Sequence, residues 1–452
     1  MSTGEAPSAR AGVAGLILLA LAACDIAPDL STVEASFATG TAGAGAAQID
    51  SALAKSSFGQ QITQAVNTSP DLAQSSVRIR AAQAEQEAAE GAWKPQVSVG
   101  VNASSRQQTV SEASTSPYLR ISQLVYDGGA AAGDQTAARA RVLESRGDQL
   151  TTAAAVTLEA IESYVMVLDR RKLLSIARDN VATHERLERQ ISERTDSGAG
   201  SEADVLTARS RMADARTFYA DAQARADRAE ARFREVFARA PAALPRPQAA
   251  PGLTRSDNEI VGNSPRVRAL TASLRAAEAD LIAAKARRRP SLVAGALGDR
   301  NANDDPDVSV DLSLNFDLDT SGQRRAAVKA AEARVEEVQF ERDLLIREIG
   351  RELEFIRSDQ KAGAERLRAA RIAAKANADS VAAAQEQFTI GRRSLIEILD
   401  AQRDYVGAQE RLILAEQNFF LTNYAALSLT GDILDVFGIA LTDWGEEDEP
   451  PS

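Results

Sequence analysis

The sequence predicts a mainly α protein made of two copies of a helix–β-hairpin–long helix–helix unit, with hairpins long enough to cross a bilayer. Three observations carry this. Residues 129–195 and 322–389 each run without proline and place apolar residues at helical spacing, as in Leu158, Ile161, Val165 and Leu168, or Leu345, Ile349, Leu353 and Ile356. Residues 308–318, VSVDLSLNFDL, alternate apolar and polar, and Val97, Val99 and Val101 do the same in the first half. Landmarks also recur at one constant spacing: Ser69-Pro70 with Ser264-Pro265, RAAQA at 80–84 with RAAEA at 275–279, and Pro95 with Pro290.

Composition agrees. Of 452 residues 44% are apolar, much of that alanine, and only 4% are aromatic. Such a chain favours long, closely packed helices over a thick globular core. The net charge of −12 argues against a nucleic-acid partner. One Cys and one His exclude an internal disulfide framework or a zinc cluster, and no catalytic or metal-binding constellation is expected.

In chain order, residues 11–23, AGVAGLILLALAA, follow Arg10 and have the length of a signal-peptide core, so 1–23 is read as a signal peptide. The run ends in Leu21-Ala22-Ala23-Cys24, an order that resembles the bacterial lipobox. Cys24 is the expected lipidation site, with a lipid the only covalent group, no other cofactor, and 24–49 as a linker. No further transmembrane helix is expected. The first repeat, 50–240, and the second, 264–438, each contain a Ser-Pro that opens a helix of about 23 residues, serine capping and proline at the first helical position. Pro95 and Pro290 end these helices and start the hairpins. Polar stretches at 104–116 and 298–307 suit hairpin tips in water, and 291–297 is the weaker partner of 308–318. Trp93, Tyr118 and Tyr126 near strand ends suit interfacial anchoring or packing.

Each hairpin feeds a helix of about 67 residues, or about 100 Å. A glycine turn then reverses the chain, GAGSEADVLTAR at 198–209 and GRRSLIEILDAQ at 391–402. The returning helices, 201–240 and 394–430, reach only about 60 Å. Stacked end to end on the Ser-Pro helices they match the long ones, which puts every element along one axis. Hairpins then lie at one end, glycine turns at the other and breaks near the middle. The Pro-rich stretch 241–263 suits an equatorial linker, and 439–452 an acidic tail.

Four strands cannot stand alone in lipid, because each unpaired edge group there costs several kcal/mol. Copies must close the sheet, and a ring closes a head-to-tail contact. Two copies give a narrow eight-stranded barrel filled by side chains, whereas three give twelve strands around a lumen.

QLVYDGGAAAGDQTAARA (123–140), the duplicated turn and the helix–hairpin–helix repeats resemble the TolC-like outer-membrane efflux and secretion proteins, over about residues 50–438. The resemblance implies a homotrimer in outer-membrane lipid. A twelve-stranded transmembrane β-barrel would continue as a periplasmic α-helical barrel and dock on a periplasmic adaptor and an inner-membrane pump of ABC or RND type. The role implied is the exit duct of a tripartite efflux or type I secretion system. A lipid-anchored periplasmic coiled-coil scaffold or adaptor is the alternative, and it leaves the strands without a purpose. DLDTSGQRR (317–325) lacks the YDGG motif of the first half.

The resemblance also implies a gate at the periplasmic tip. The tip turns would be Gly198 with Ser201 and Gly391 with Ser394. The gate positions would be Asp204, Glu397 and Asp400, with Arg393 in an inter-helix ion pair. Phe388 and Ala203 stand where the family has a tyrosine and a threonine. A second reading makes Ser201…Asp204 and Ser394…Glu397 capping boxes. Asp400, one turn deeper, has no capping role.

Overall fold

The computed structural model describes residues 28–38, 52–104, 114–252, 256–300, 306–439 and 441. The signal-peptide reading, Cys24, the centres of both hairpin tips and the acidic tail beyond Leu441 lie outside the described residues. The first repeat comprises α1 (Ser31–Ala38), α2 (Ala52–Lys55), α3 (Ser57–Asn67), α4 (Pro70–Glu90), β1 (Gln96–Ser104), β2 (Ser114–Tyr126), α5 (Ala130–Asp196) and α6 (Glu202–Phe237). The second comprises α7 (Asp257–Asn263), α8 (Pro265–Ala286), β3 (Ser291–Arg300), β4 (Pro306–Asn315), α9 (Gln323–Thr389), α10 (Leu395–Thr430) and a closing turn of helix, α11 (Asp432–Phe437).

The long helices α5 and α9 both have 67 residues. The returning helices have 36 each, slightly fewer than expected, because Ala238 and Gly431 take left-handed conformations that stop them. Polar pairs show the stacking along α5. Its first half meets α8 through Arg141–Asp280 and Arg287–Asp134, and its second half meets α6 through Arg171–Glu230 and Glu188–Arg209. The close approach of α5 and α8 needs a residue without a side chain, since a Cβ on Gly147 would lie 2.7 Å from the Ala269 methyl. α10 ends where α8 begins: the Ser264 hydroxyl donates to Leu429 O at 3.3 Å. That bond replaces the expected cap, and neither Ser69 nor Ser264 caps its helix with its side chain.

The four strands form one antiparallel sheet in the order β1-β2-β3-β4. Directly paired residues share a face. The rows Val97–Ile121–Ala296–Val310 and Val99–Leu119–Gly298–Val308 are apolar, whereas Ser98–Arg120–Leu297–Ser309 and Gln96–Ser122–Gly295–Asp311 are largely polar or small. Tyr118 falls on the polar side, where it packs over Gly100. The expected strand to residue 318 stops at Asn315. Asp317 pairs there with Arg324, and Asp319 accepts from the Arg324 and Arg325 amides at 3.2 and 3.0 Å, which turns the chain into α9. Asp127 does the same for α5, accepting from Gly129, Ala130 and Ala131. The two motifs that differ in sequence are thus equivalent helix starts.

The main core lies at the equator. Phe58, Tyr164, Phe233, Tyr424 and Phe437 are buried together with Ile62, Ile161 and Ile433. The Pro-rich stretch crosses it as a strap. The Tyr164 and Tyr424 hydroxyls donate to Pro245 O and Gln248 O, both at 2.7 Å, and Arg171 donates to Pro241 O at 2.9 Å. Its last part, read as linker, folds into α7 behind a Ser256–Glu259 capping box. The segment read as an N-terminal linker contains α1. Its Glu34 pairs with Arg139 at 2.7 Å, and Arg268 lies over the Phe37 ring. One helix among the described residues, α5, holds a stretch long and apolar enough to cross a membrane; that stretch is 61% buried, because its apolar side feeds the core.

Candidate functional site

The two glycine turns meet at the end opposite the sheet. Each ends its long helix with a glycine at positive φ, 79° at Gly198 and 75° at Gly391, a conformation that costs other residues energy. The following amides close back on the helices, Ala199 N to Arg194 O and Arg392 N to Gln387 O, both at 2.8 Å. A small apolar core unites the turns: Leu187 and Ile191 of α5, Val205 and Ala208 of α6, Ala384 and Phe388 of α9, and Leu395, Ile398 and Leu399 of α10. Leu206, Ile390 and Ile396 remain exposed around it.

The two serines behave differently. Ser394 and Glu397 form the full capping box, with Glu397 Oε2 accepting from Ser394 N at 2.9 Å and from its hydroxyl at 2.8 Å. Those bonds, with the nearby Arg393 charge, hold the Glu397 carboxyl below the ordinary carboxylate range. Ser201 caps Ala203 N at 3.1 Å, and Asp204 does not reach back to it. The capping box wants Glu or Gln at that position, and aspartate is one methylene short. Half-buried Asp204 therefore has no capping bond, and its carboxylate makes no ion pair among the described residues.

Asp400 lies one turn into α10 and pairs with Arg403 at 3.2 Å. Arg393 is half-buried and makes no ion pair among the described residues of this chain. Phe388 is 7% exposed, and the Arg194 guanidinium sits 5.3 Å from its ring centre, so a cation–π contact holds the position where the resemblance implies a tyrosine in other members. A buried amide pair, Gln402 Nε2 to Asn180 Oδ1 at 3.2 Å, locks α10 to α5 behind the tip. Neither contact was legible beforehand, because Arg194, Gln402 and Asn180 sit in helices rich in polar residues. Their only signal is that they fall on the apolar face.

His184 is buried in α5. No group of three or more His, Cys, Asp or Glu suited to a metal occurs among the described residues.

Comparison with known proteins matches this architecture. The outer membrane efflux protein family matches at residues 61–239 and 258–430, one match for each repeat. The outer membrane efflux protein BepC of Brucella suis biovar 1 (strain 1330) is 24% identical over 386 residues, spanning 80% of this chain and 82% of BepC. The structure of the outer-membrane channel OprN superposes with a TM-score of 0.75 at 19% identity, covering 90% of this chain and 98% of OprN. The open state of the Neisseria gonorrhoeae MtrE outer membrane channel gives 0.72 at 15% identity, covering 84% and 90%. The duplicated unit, the sheet with one apolar face and the paired tip turns are therefore the parts of a conduit. The chain belongs to the outer membrane efflux protein family, as an efflux protein of the outer membrane and not as an enzyme.

Proposed function

We propose that three copies of this chain close their sheets into a twelve-stranded barrel in the outer membrane, continued by a helical barrel through the periplasm. The observation that carries this is the sheet itself: four strands, one apolar face, and open edges on β1 and β4. The apolar face suits lipid and the polar face a watery lumen. The tip supports a gate. Threefold symmetry would gather the unpaired Asp204 carboxylates with Glu397 and Asp400 around one axis, and a ring of carboxylates favours cations. Arg393, without an ion-pair partner among the described residues of its own chain, would find one in the neighbour. The exposed tip residues Leu206, Ile390 and Ile396 suit a periplasmic adaptor that couples the channel to an inner-membrane pump of the ABC or RND type. A lipid on Cys24 would add an anchor beside the barrel. Drug efflux and type I secretion both fit such a duct.

Cysteine pairs placed with one member on β1 and the other on β4 test the closure. Within one chain these edges are about 14 Å apart, too far for a disulfide. Pairs such as Ser98→Cys with Ser309→Cys, scanned along the strands, should yield covalent trimers on non-reducing gels. A scan that yields only monomers overturns the proposal.

A further inference from the structure

A cavity of about 290 Å³ lies where α5, α6 and α10 meet, between the equatorial core and the tip. His184, the one histidine in the sequence, forms part of its wall. The ring is 7% exposed, and its Nδ1 is sealed off without a hydrogen-bond partner. A neutral imidazole tolerates this, because Nδ1 then carries only a lone pair. An imidazolium does not, because it has an N–H at both nitrogens and a charge to solvate.

The surroundings offer that charge no spare counter-ion. From α6 the cavity receives Arg211 and Asp214, which pair with each other at 3.7 Å. From α10 it receives Arg403, held by Asp400 and Asp404, and Glu410, which is held by Arg225 at 3.3 Å. On α5 itself, Glu185 and Glu188 are taken by Arg216 and Arg209. α9 faces the adjoining stretch of α5 with Ala378, Val381, Ala382 and Gln385, all uncharged.

We propose that His184 is a proton-operated wedge in the seam that holds α10 against α5 and α6. Neutral, it packs; protonated, it forces the seam open and releases Arg403, and with it Asp400, from their present positions. Burial, and then the Arg211 charge, holds the imidazole below its ordinary pKa of 6.5, against the weaker pull of Asp214. The sign follows. The folded seam prefers the neutral ring, so its stability is intact above pH 6.5 and is lost as pH falls from there through the depressed value. A more acidic periplasm would therefore loosen the channel just above its tip. The seam belongs to a single chain; its consequence for conduction rests on the gate reading above.

Hydrogen exchange by mass spectrometry on the purified full-length channel, corrected for intrinsic rates, tests the wedge. Between about pH 7.5 and about pH 5, peptides covering 206–218 and 399–410 should lose protection about threefold or more, while equatorial peptides do not. His184→Gln and His184→Asn, which cannot take up the proton, should abolish the loss. Because the chain has one histidine, selective labelling of that ring gives a single NMR signal, and it should titrate well below pH 6.5 with no variant needed. Protection that is independent of pH, an equal loss in both variants, or an ordinary titration midpoint would each overturn the proposal. Planar-bilayer conductance separates the two readings. A seam that loosens on schedule while conductance stays constant keeps the wedge and removes the gate.

Discussion

Asp169 sits on α5 in a cavity of about 880 Å³ beneath the equatorial strap, walled by Leu244, Pro247, Phe419 and Phe420. Its Oδ2 is sealed without a hydrogen-bond partner, and burial pushes the carboxyl from 3.8 up to about 7 against the pull of Lys172 and Arg170. The folded chain thus binds a proton that the unfolded chain releases between those values, so stability falls as pH rises from 3.8 to about 7 and is level above. Asp169→Asn should remove that slope and stabilise the protein at neutral pH by about 1–2 kcal/mol, read from thermal melts across pH. A variant with the wild-type slope would show that the carboxyl is solvated. Neither the sealed Oδ2 of half-buried Asp169 nor the buried His184 ring is legible in the sequence. In an alanine-rich helix the packed stripe is drawn in small residues that occur on every face, so polar residues that fall on it carry no mark of their own. Tyr164 and Tyr424 were equally silent, since the strap they hold is irregular chain whose path no periodicity predicts.

The elements themselves were well marked. Proline-free helical spacing gives both long helices almost to the residue, and glycine followed by serine gives both tip turns. What failed was the assumption that matching motifs make matching bonds. Ser394 and Glu397 close a capping box, Ser201 and Asp204 do not, and the difference is one methylene. Hydrogen exchange at the tip should register this: Glu397→Ala should speed exchange at the first turn of α10, whereas Asp204→Ala should leave the first turn of α6 unchanged. Equal responses would show that Asp204 caps after all. The Glu397 cap should also survive mild acid, since its depressed carboxyl keeps its charge below 4.5 and loses it only as pH falls through the lowered value. The strand end at Asn315 was misread for a related reason. Phe316 and Leu318 continue the alternation, but the ion pair and amide bonds of Asp317 and Asp319 win the backbone for the start of α9.

At the scale of the whole molecule, the sheet's two faces give the proposed barrel a side for lipid and a side for the lumen. Leu312 and Leu314 lie in the apolar rows and Ser313 in the polar set. An arginine at Leu312 or Leu314 should cost about 2–4 kcal/mol and lower the yield of heat-resistant trimers, whereas one at Ser313 should be tolerated. The reverse result would turn the sheet inside out. On the closure proposed above, the open edges also set the order of biogenesis. Half of the sheet comes from each repeat, so nothing is ready to pair with a neighbour until synthesis has passed β4. Even then a single chain has no permitted way into hydrocarbon, because its edge amides would enter unsatisfied. Membrane entry and meeting two sister chains must therefore be the same event. Its rate would rise steeply with the periplasmic supply of chains, and the interval before that meeting, with two edges bare, is when the protein is most open to capture by chaperones or proteases.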